Sequence, residues 1–499
     1  MWRSLLRFIG ITIVLEAGIL WPVSGARVVV HFDETLQLWD GFGVNYVETS
    51  QTRDYEKWPQ DYGGFSTLTE KQRHEILDLI FGEDGLKPGI VKMFIDPFHE
   101  GTGKSGNDND DAMKIDLSGY THERTTKWMR YFVREGLKRT RAGGRGLKVF
   151  CTLYGPPAWM TKQKIVRGRD LDPTEKYECA EYIAAFAKFM REKEGFPVKY
   201  VALHNEGEFA DRWPEDGMDN RDYLKHDYNM YWPPKQIVDF LSFMRKTLDA
   251  NGLEDVGMGP GEATYWYRFR PIAEAIVTDD TALKNLSLIT NHGFIGSSGP
   301  KSRWYTPDPY DNVPIAGLRA RRPELHAWTT SATWGKMDVS FVETIRGHIY
   351  RTQVNGYVPW AVIQRHSQWV GGDPNPGTAF LVDDNGNYAV RRGYYLYKQV
   401  TRAGQPGMAV ASVSSDDGNV GVIAFASNKT KNKDAFVVFN KSSERVSVET
   451  QVSGTACRTF WIYRTSDGEN YKNLPDISSE KGAVTYDCPP QSVTTFFGK

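Results

Sequence analysis

Between Trp39 and Ile363 the chain switches repeatedly between short apolar runs and longer stretches whose apolar residues recur at helical spacing. That alternation restricts the fold to an α/β architecture with a mostly parallel sheet, since parallel neighbours need a crossover helix between them. The spacing predicts helices over 70–81, 123–140, 175–192, 234–250, 271–277 and 339–354. Strands are expected over 39–46, 89–95, 147–154, 198–203, 254–259, 286–291, 324–329 and 357–363. In the first helix Ile76, Leu77 and Ile80 share a face, with Thr67 or Thr69 near its start. Eight strands suit a closed barrel or a doubly wound sheet. Polar and aromatic residues follow nearly every strand, which favours a (β/α)8 TIM barrel with its ring of loops over an open sheet with one switch point.

After Lys398 the pattern changes to short alternating runs separated by turns, among them 420–425, 435–440, 446–452, 457–463 and 492–497. These read as an accessory antiparallel β-sandwich. The chain of 499 residues is also longer than one barrel needs. The expected division is a signal peptide over 1–26, a barrel over 39–397, and a sandwich built from 398–499 with the strand-like segment 27–38.

Arg3 and Arg7 precede an apolar run from Phe8 to Leu20, interrupted by Glu16, and Ser24-Gly25-Ala26 offers small residues for cleavage after Ala26. This points to a secreted or periplasmic protein with no stable membrane insertion once the signal is removed, and no later segment has the length and polarity of a membrane span. With 61 basic and 62 acidic residues, nothing favours nucleic acid as a partner. The four cysteines are too few for a disulfide scaffold, but export would permit one or two bonds, and Cys457 with Cys488 is the expected pair because both fall in the all-β region. Cys151, on a strand, is expected to be a buried thiol. Sequons stand at Asn285, Asn428 and Asn440.

The chemistry concentrates after the fourth strand, where Leu203-His204-Asn205-Glu206 places an Asn-Glu pair at the strand's C-terminal end. Barrel enzymes present catalytic acids at that end. Further motifs appear in order: Asp40-Gly41-Phe42-Gly43, Tyr154-Gly155-Pro156-Pro157-Ala158-Trp159-Met160 after the third strand, Tyr394-Tyr395-Leu396 running on to Pro406-Gly407, and Pro490-Gln491-Ser492-Val493-Thr494-Thr495-Phe496. Taken together with Asn205-Glu206 they make the chain, over nearly its whole mature length, resemble retaining glycoside hydrolases of family 30, with some likeness to the related galactocerebrosidase family. The resemblance implies a clan A barrel with catalytic carboxylates on strands four and seven, Glu206 as general acid/base and Asn205 as a ligand of the sugar 2-hydroxyl. No cofactor and no metal are expected.

Aromatic residues fit a sugar site. Trp159 follows two prolines on the rim, Trp360 ends the eighth strand at a position the resemblance puts beneath the sugar, and Trp213, Trp232, Trp266 and Trp304 lie in other loops. His292 after strand six and His366 after strand eight are expected to contact sugar hydroxyls. Arg365 would read a uronic acid or sulfate, or serve in a structural ion pair. His204 would contact substrate or be a satisfied barrel histidine. The histidines do not form a recognised metal-binding spacing.

The family nucleophile is a Glu at the end of strand seven, and here Ala327-Trp328-Thr329-Thr330-Ser331 puts Ser331 in its place. A neutral hydroxyl is a poor nucleophile and does not stabilise positive charge at the anomeric carbon as a carboxylate does. Four explanations compete. The second carboxylate comes from another strand end, with Glu262 after strand five first and Glu48, Asp96 or Glu100 as alternatives. Or the register slips to Glu324, which would disrupt the Trp328 match. Or the serine is an engineered replacement, although Thr330-Ser331-Ala332-Thr333 reads as naturally rewritten. Or hydrolysis is lost and glycan binding kept. A partner about 6.5–9.5 Å from Glu206 would make the enzyme inverting, and one about 5–5.5 Å away retaining. The expectation is a hydrolase of a β-linked glycan or glycoconjugate with a poly- or oligosaccharide substrate, using Glu206 and Glu262; the alternative is an inactive carbohydrate-binding protein on the same scaffold.

Overall fold

The computed structural model describes residues 24–49, 55, 58–100, 111, 113–122, 124–166, 168–208, 228–296, 306–369 and 375–499. Residues 1–23, Trp213 and Trp304 lie outside this set.

The chain enters through β1 (Ser24–Leu38) and then builds the barrel from β2 (Gly41–Asn45), β3 (Ile90–Ile95), β4 (Lys148–Leu153), β5 (Val198–Ala202), β6 (Gly257–Gly259), β7 (Leu288–Asn291), β8 (His326–Thr333) and β9 (Gly356–Trp360). These are barrel strands one to eight, paired in parallel in the order β6-β5-β4-β3-β2-β9-β8-β7. Parallel bridges from Met258 to Leu286 and from Ala263 to Asn291 join β6 to β7 and close the ring. Ile90, Phe150, Ala202, Leu288, Trp328 and Val358 fill its interior in one apolar cluster.

The helices are α1 (Glu70–Phe81), α2 (Lys127–Ala142), α3 (Lys176–Glu192), α4 (Pro234–Ala250), α5 (Arg270–Val277), α6 (Asp280–Asn285), α7 (Val313–Arg321), α8 (Val339–Gly347) and α9 (Arg392–Ala403). In α1, Thr69 and Gln72 form a capping box, and Ile76, Leu77, Ile80 and Phe81 are buried. The long helix expected over 339–354 ends as α8 and continues through a π-turn at His348–Thr352. Helix α9 runs through the expected boundary at 397/398 and packs against sandwich strands.

A small sheet, β10 (Ile363–Gln364), β11 (Phe380–Val382) and β12 (Tyr388–Val390), follows the barrel. The sandwich strands are β13 (Ala409–Ser415), β14 (Val420–Ala426), β15 (Ala435–Asn440), β16 (Val446–Ser453), β17 (Thr459–Ser466), β18 (Glu469–Ser478), β19 (Ala483–Cys488) and β20 (Ser492–Gly498). Strand β1 lies between β13, antiparallel, and β16, parallel, so one pairing departs from an otherwise antiparallel sheet. Its alternate residues Ala26, Val28, Val30 and Phe32 enter the sandwich core, as period-two side-chain geometry requires. Ser24-Gly25-Ala26, the expected cleavage segment, is already paired with Val446-Ser447-Val448.

The expected Cys457–Cys488 disulfide is absent: all four cysteines are free and buried. Cys488 ends β19 at one end of the strand order, whereas Cys457 precedes β17 near the other, and the Cys488 thiol lies 3.6 Å from the Ser492 hydroxyl instead. No helix among the described residues is long and apolar enough to cross a membrane.

Candidate active site

At the C-terminal ends of β5 and β6 the two backbones stay zipped beyond the strands. Glu206 N–H donates to Glu262 C=O at 2.7 Å and Glu262 N–H to His204 C=O at 2.9 Å, around the Asn205–Glu262 bridge. Glu206 adopts φ +46°, sparsely populated for a non-glycine residue, so the surrounding contacts must hold it there. Next to it Gly261, at φ +109°, leaves room for His204: a Cβ there would come within 2.1 Å of the ring. The close approach therefore depends on glycine.

The Glu206 side chain is 7 % exposed. Its Oε1 lies 3.0 Å from His292 Nδ1, and its Oε2 accepts a 3.3 Å bond from Asn229 Nδ2. Asn205 donates to Asn229 Oδ1 at 2.7 Å, so Asn229 orders both members of the Asn-Glu pair. On its other side His292 presents Nε2 at 3.7 Å from Glu262 Oε2, too long for a hydrogen bond yet close enough for charge attraction. One imidazole thus stands between two carboxylates. Burial would push His292 down, but the two glutamates outweigh it and raise the ring from 6.5 to about 8.

Glu262 is fully buried and paired with Lys92, also fully buried, at 2.7 Å. Burial opposes its charge, yet Lys92 and His292 hold the carboxyl down at about 2. Its Oε1 has no hydrogen-bond partner. Lys92 comes from the middle of β3, where Ile90 points into the apolar layer below and Phe94 toward the mouth. The same ammonium donates to Ser331 Oγ at 3.0 Å and to Thr330 C=O at 3.3 Å. Ser331 turns inward because β8 carries an extra residue between Thr329 and Ala332 relative to β9, a bulge that reverses the local alternation. Lys92 therefore holds both the serine at the strand-seven position and the carboxylate supplied from strand five.

The other expected carboxylates serve the scaffold. Glu48 accepts the N–H groups of Trp128 and Met129 at the start of α2, and burial with Asp61 nearby raises it to about 8. Asp96 accepts from Phe98 N–H and the Thr125 hydroxyl, and burial raises it to about 7. Glu100 accepts the N–H groups of Thr121 and His122. Glu324 precedes β8, is exposed and pairs with Arg322, so the slipped register does not bring it to the mouth.

Among the aromatic residues, Trp360 is almost buried, stacked on Tyr62 with ring centroids 6.1 Å apart and edge-on to Phe94. Trp159 is partly buried on the one-turn helix Ala158–Met160. Trp266 and Trp232 are fully buried, which corrects their expected place on the mouth: Trp266 packs against Phe269, and Trp232 against His204 and Phe240. A loop tryptophan looks the same in sequence whether it faces sugar or core. Arg365 pairs with Asp384 at 2.8 Å, the structural role of its two readings, and His366 Nε2 lies 2.8 Å from Gln364 Oε1. His204 accepts from Gly207 N–H through Nδ1, and burial lowers it to about 3, so it is a neutral barrel histidine. Sequence reading missed Lys92 and Asn229; the signal for the first was a lysine inside an otherwise apolar strand, Ile90-Val91-Lys92-Met93-Phe94.

The charge on His292 has a measurable consequence. A folded value above the ordinary 6.5 contributes stability that is complete below 6.5 and lost as pH rises through about 8. His292→Gln is expected to unfold at a lower temperature than the parent at pH 6 and to close most of that gap at pH 9. A gap independent of pH would show that the ring carries no charge.

No family model matches the chain, and no curated protein does. Solved structures do resemble it. A GH30 endoxylanase from Clostridium papyrosolvens C71 superposes with a TM-score of 0.65 at 18% identity, covering 95% of this chain and 100% of that one. The catalytic domain of GH30 xylanase C from Talaromyces cellulolyticus gives 0.70 at 14% identity, with 95% and 100% covered. A glycoside hydrolase family 30 subfamily 8 xylanase from Clostridium acetobutylicum gives 0.64 at 20% identity, with 94% and 98% covered. What this chain shares with them is the fold: a (β/α)8 barrel carrying an accessory β-sandwich.

Proposed function

We propose that this chain is a secreted or periplasmic glycoside hydrolase acting on a β-linked glycan or glycoconjugate, with Glu206 as general acid and Glu262 as the second carboxylate. The observation that carries the reading is the chain Glu206–His292–Glu262–Lys92, which joins two carboxylates from neighbouring strand ends through one imidazole. Lys92 keeps Glu262 ionised, as a base must be. The His292–Glu206 pair shares a transferable proton until pH passes about 8, so His292 can deliver it to Glu206 and Glu206 to the departing oxygen. Asn205 and Trp360 bind the sugar, with Trp159 on the rim. Glu262 is sunk below the mouth with Oε1 unpartnered, a position suited to activating a water rather than touching the anomeric carbon. In that role for Glu262 the enzyme would be inverting.

A second reading, glycan binding without hydrolysis, is favoured by the burial of Glu262 and by the positive charge of Lys92 beside Ser331, which opposes an oxocarbenium ion. Proton NMR during incubation with β-linked oligosaccharides separates the two. Release of a first product with inverted anomeric configuration is the expected result. Retained configuration would make Glu262 a nucleophile instead, and calorimetric binding with no product would establish the second reading.

A further inference from the structure

We propose that His99, Glu100 and His122 form a three-ligand zinc site that ties the loop after β3 to the segment leading into α2. Among the described residues, the donor atoms of this trio all lie within 4.8 Å of one another. Two imidazole nitrogens and a carboxylate oxygen are a zinc donor set, whereas calcium and magnesium prefer oxygen alone.

The orientation of the rings supports the assignment. His99 Nδ1 lies 2.7 Å from the Asp96 carbonyl and 3.0 Å from the Tyr182 hydroxyl, which itself donates to that carbonyl at 2.8 Å. The Asp96 carbonyl can only accept, so the His99 proton resides on Nδ1 and Nε2 carries a lone pair. That Nε2 is buried with no hydrogen-bond partner. A histidine whose outer N–H is fixed by a carbonyl while its inner nitrogen faces other donors has the arrangement of a metal ligand. The Ala185 main chain lies beside the His122 ring. On its other side His122 Nδ1 lies 2.8 Å from Glu100 Oε1, so imidazole and carboxylate face one another. Zinc would set the ligand atoms roughly 3.3 Å apart at bond lengths near 2 Å.

The backbone is committed to this geometry. His122 holds φ +45°, and the N–H groups of Thr121 and His122 fix the Glu100 carboxylate. Tyr120 stacks on the His122 ring at 5.2 Å and 16°, with Phe186 and Phe189 edge-on to it.

The test uses the full chain without a histidine tag, equilibrated with zinc chloride, desalted and assayed by mass spectrometry for metal. One zinc per chain is expected, with chelation lowering the thermal midpoint by at least about 2 °C. Cobalt(II) replacing zinc should give the intense visible bands of a low-coordinate site. Glu100→Gln should weaken zinc binding by at least about 100-fold. Less than about 0.1 equivalent of metal in the parent protein, with a midpoint unmoved by chelator, would overturn the site. So would undiminished zinc binding by Glu100→Gln. Should that variant fail to fold, the cobalt spectrum and chelator response of the parent decide.

Discussion

Lys92→Met is expected to lower stability by about 3–5 kcal/mol, because it leaves the Glu262 carboxylate buried without its counter-charge. Both groups are fully buried and 2.7 Å apart, and the same ammonium also satisfies Ser331 Oγ and Thr330 C=O. The attraction within such a pair is largely cancelled by the cost of drying both ions, so removing the pair together is far milder than removing one member. Lys92→Met/Glu262→Leu should therefore regain most of the loss, and thermal unfolding of the parent, single and double variants reads the difference. A single variant within about 1 kcal/mol of the parent would mean that Glu262 takes up a proton at no great cost and is not held ionised. The acid limb follows the same logic. With Glu262 depressed to about 2, its stabilisation is present above the ordinary 4.5 and is lost as pH falls toward 2.

Glu206→Gln is expected to slow hydrolysis of an unactivated glycan by about 10²–10⁴-fold while leaving the fold intact. The amide keeps the shape of the side chain and an oxygen to accept from Asn229, but it cannot release a proton. Substrates with an acidic phenol as leaving group need little protonation, so their turnover should fall much less. The alkaline limb of the parent's profile, set near 8 by the shared His292–Glu206 proton, should disappear in the variant. Near-parental activity on the natural glycan would remove Glu206 from the mechanism. An equal loss on both substrate types would make it a positioning residue for Asn229 and Asn205.

The barrel was legible because its signals are local. Helix α1 declares both its apolar face and its cap within twelve residues, and β1 shows its sandwich-facing side through Ala26, Val28, Val30 and Phe32. The strand-end places of Glu206 and Ser331 were legible, since Glu206 follows a strand and Ser331 interrupts a pattern. The groups around them are not local. Lys92 and Glu262 stand 170 residues apart, and only closure of the barrel makes them partners. The inward turn of Ser331 depends on a bulge measured against β9, a relation that one strand's sequence does not contain. Helix α7 escaped notice because its buried residues are only Pro314, Ile315 and Leu318, too few for a clear period. The cysteine pair failed for a similar reason: a shared all-β region does not say which strands become neighbours.

The place of β1 in the sandwich also bears on how the molecule is made. Arg27 bonds to Asp416, 389 residues further along, and strands on both flanks of β1 belong to the C-terminal region. A ribosome extends the chain at about 5–20 residues per second, so β1 emerges tens of seconds before either neighbour exists. The barrel can close during that interval, but the sandwich cannot, and its first strand travels as an open edge until synthesis nears its end. A chain terminated before β13 and β16 would carry an unpaired apolar strand that quality control or aggregation can detect.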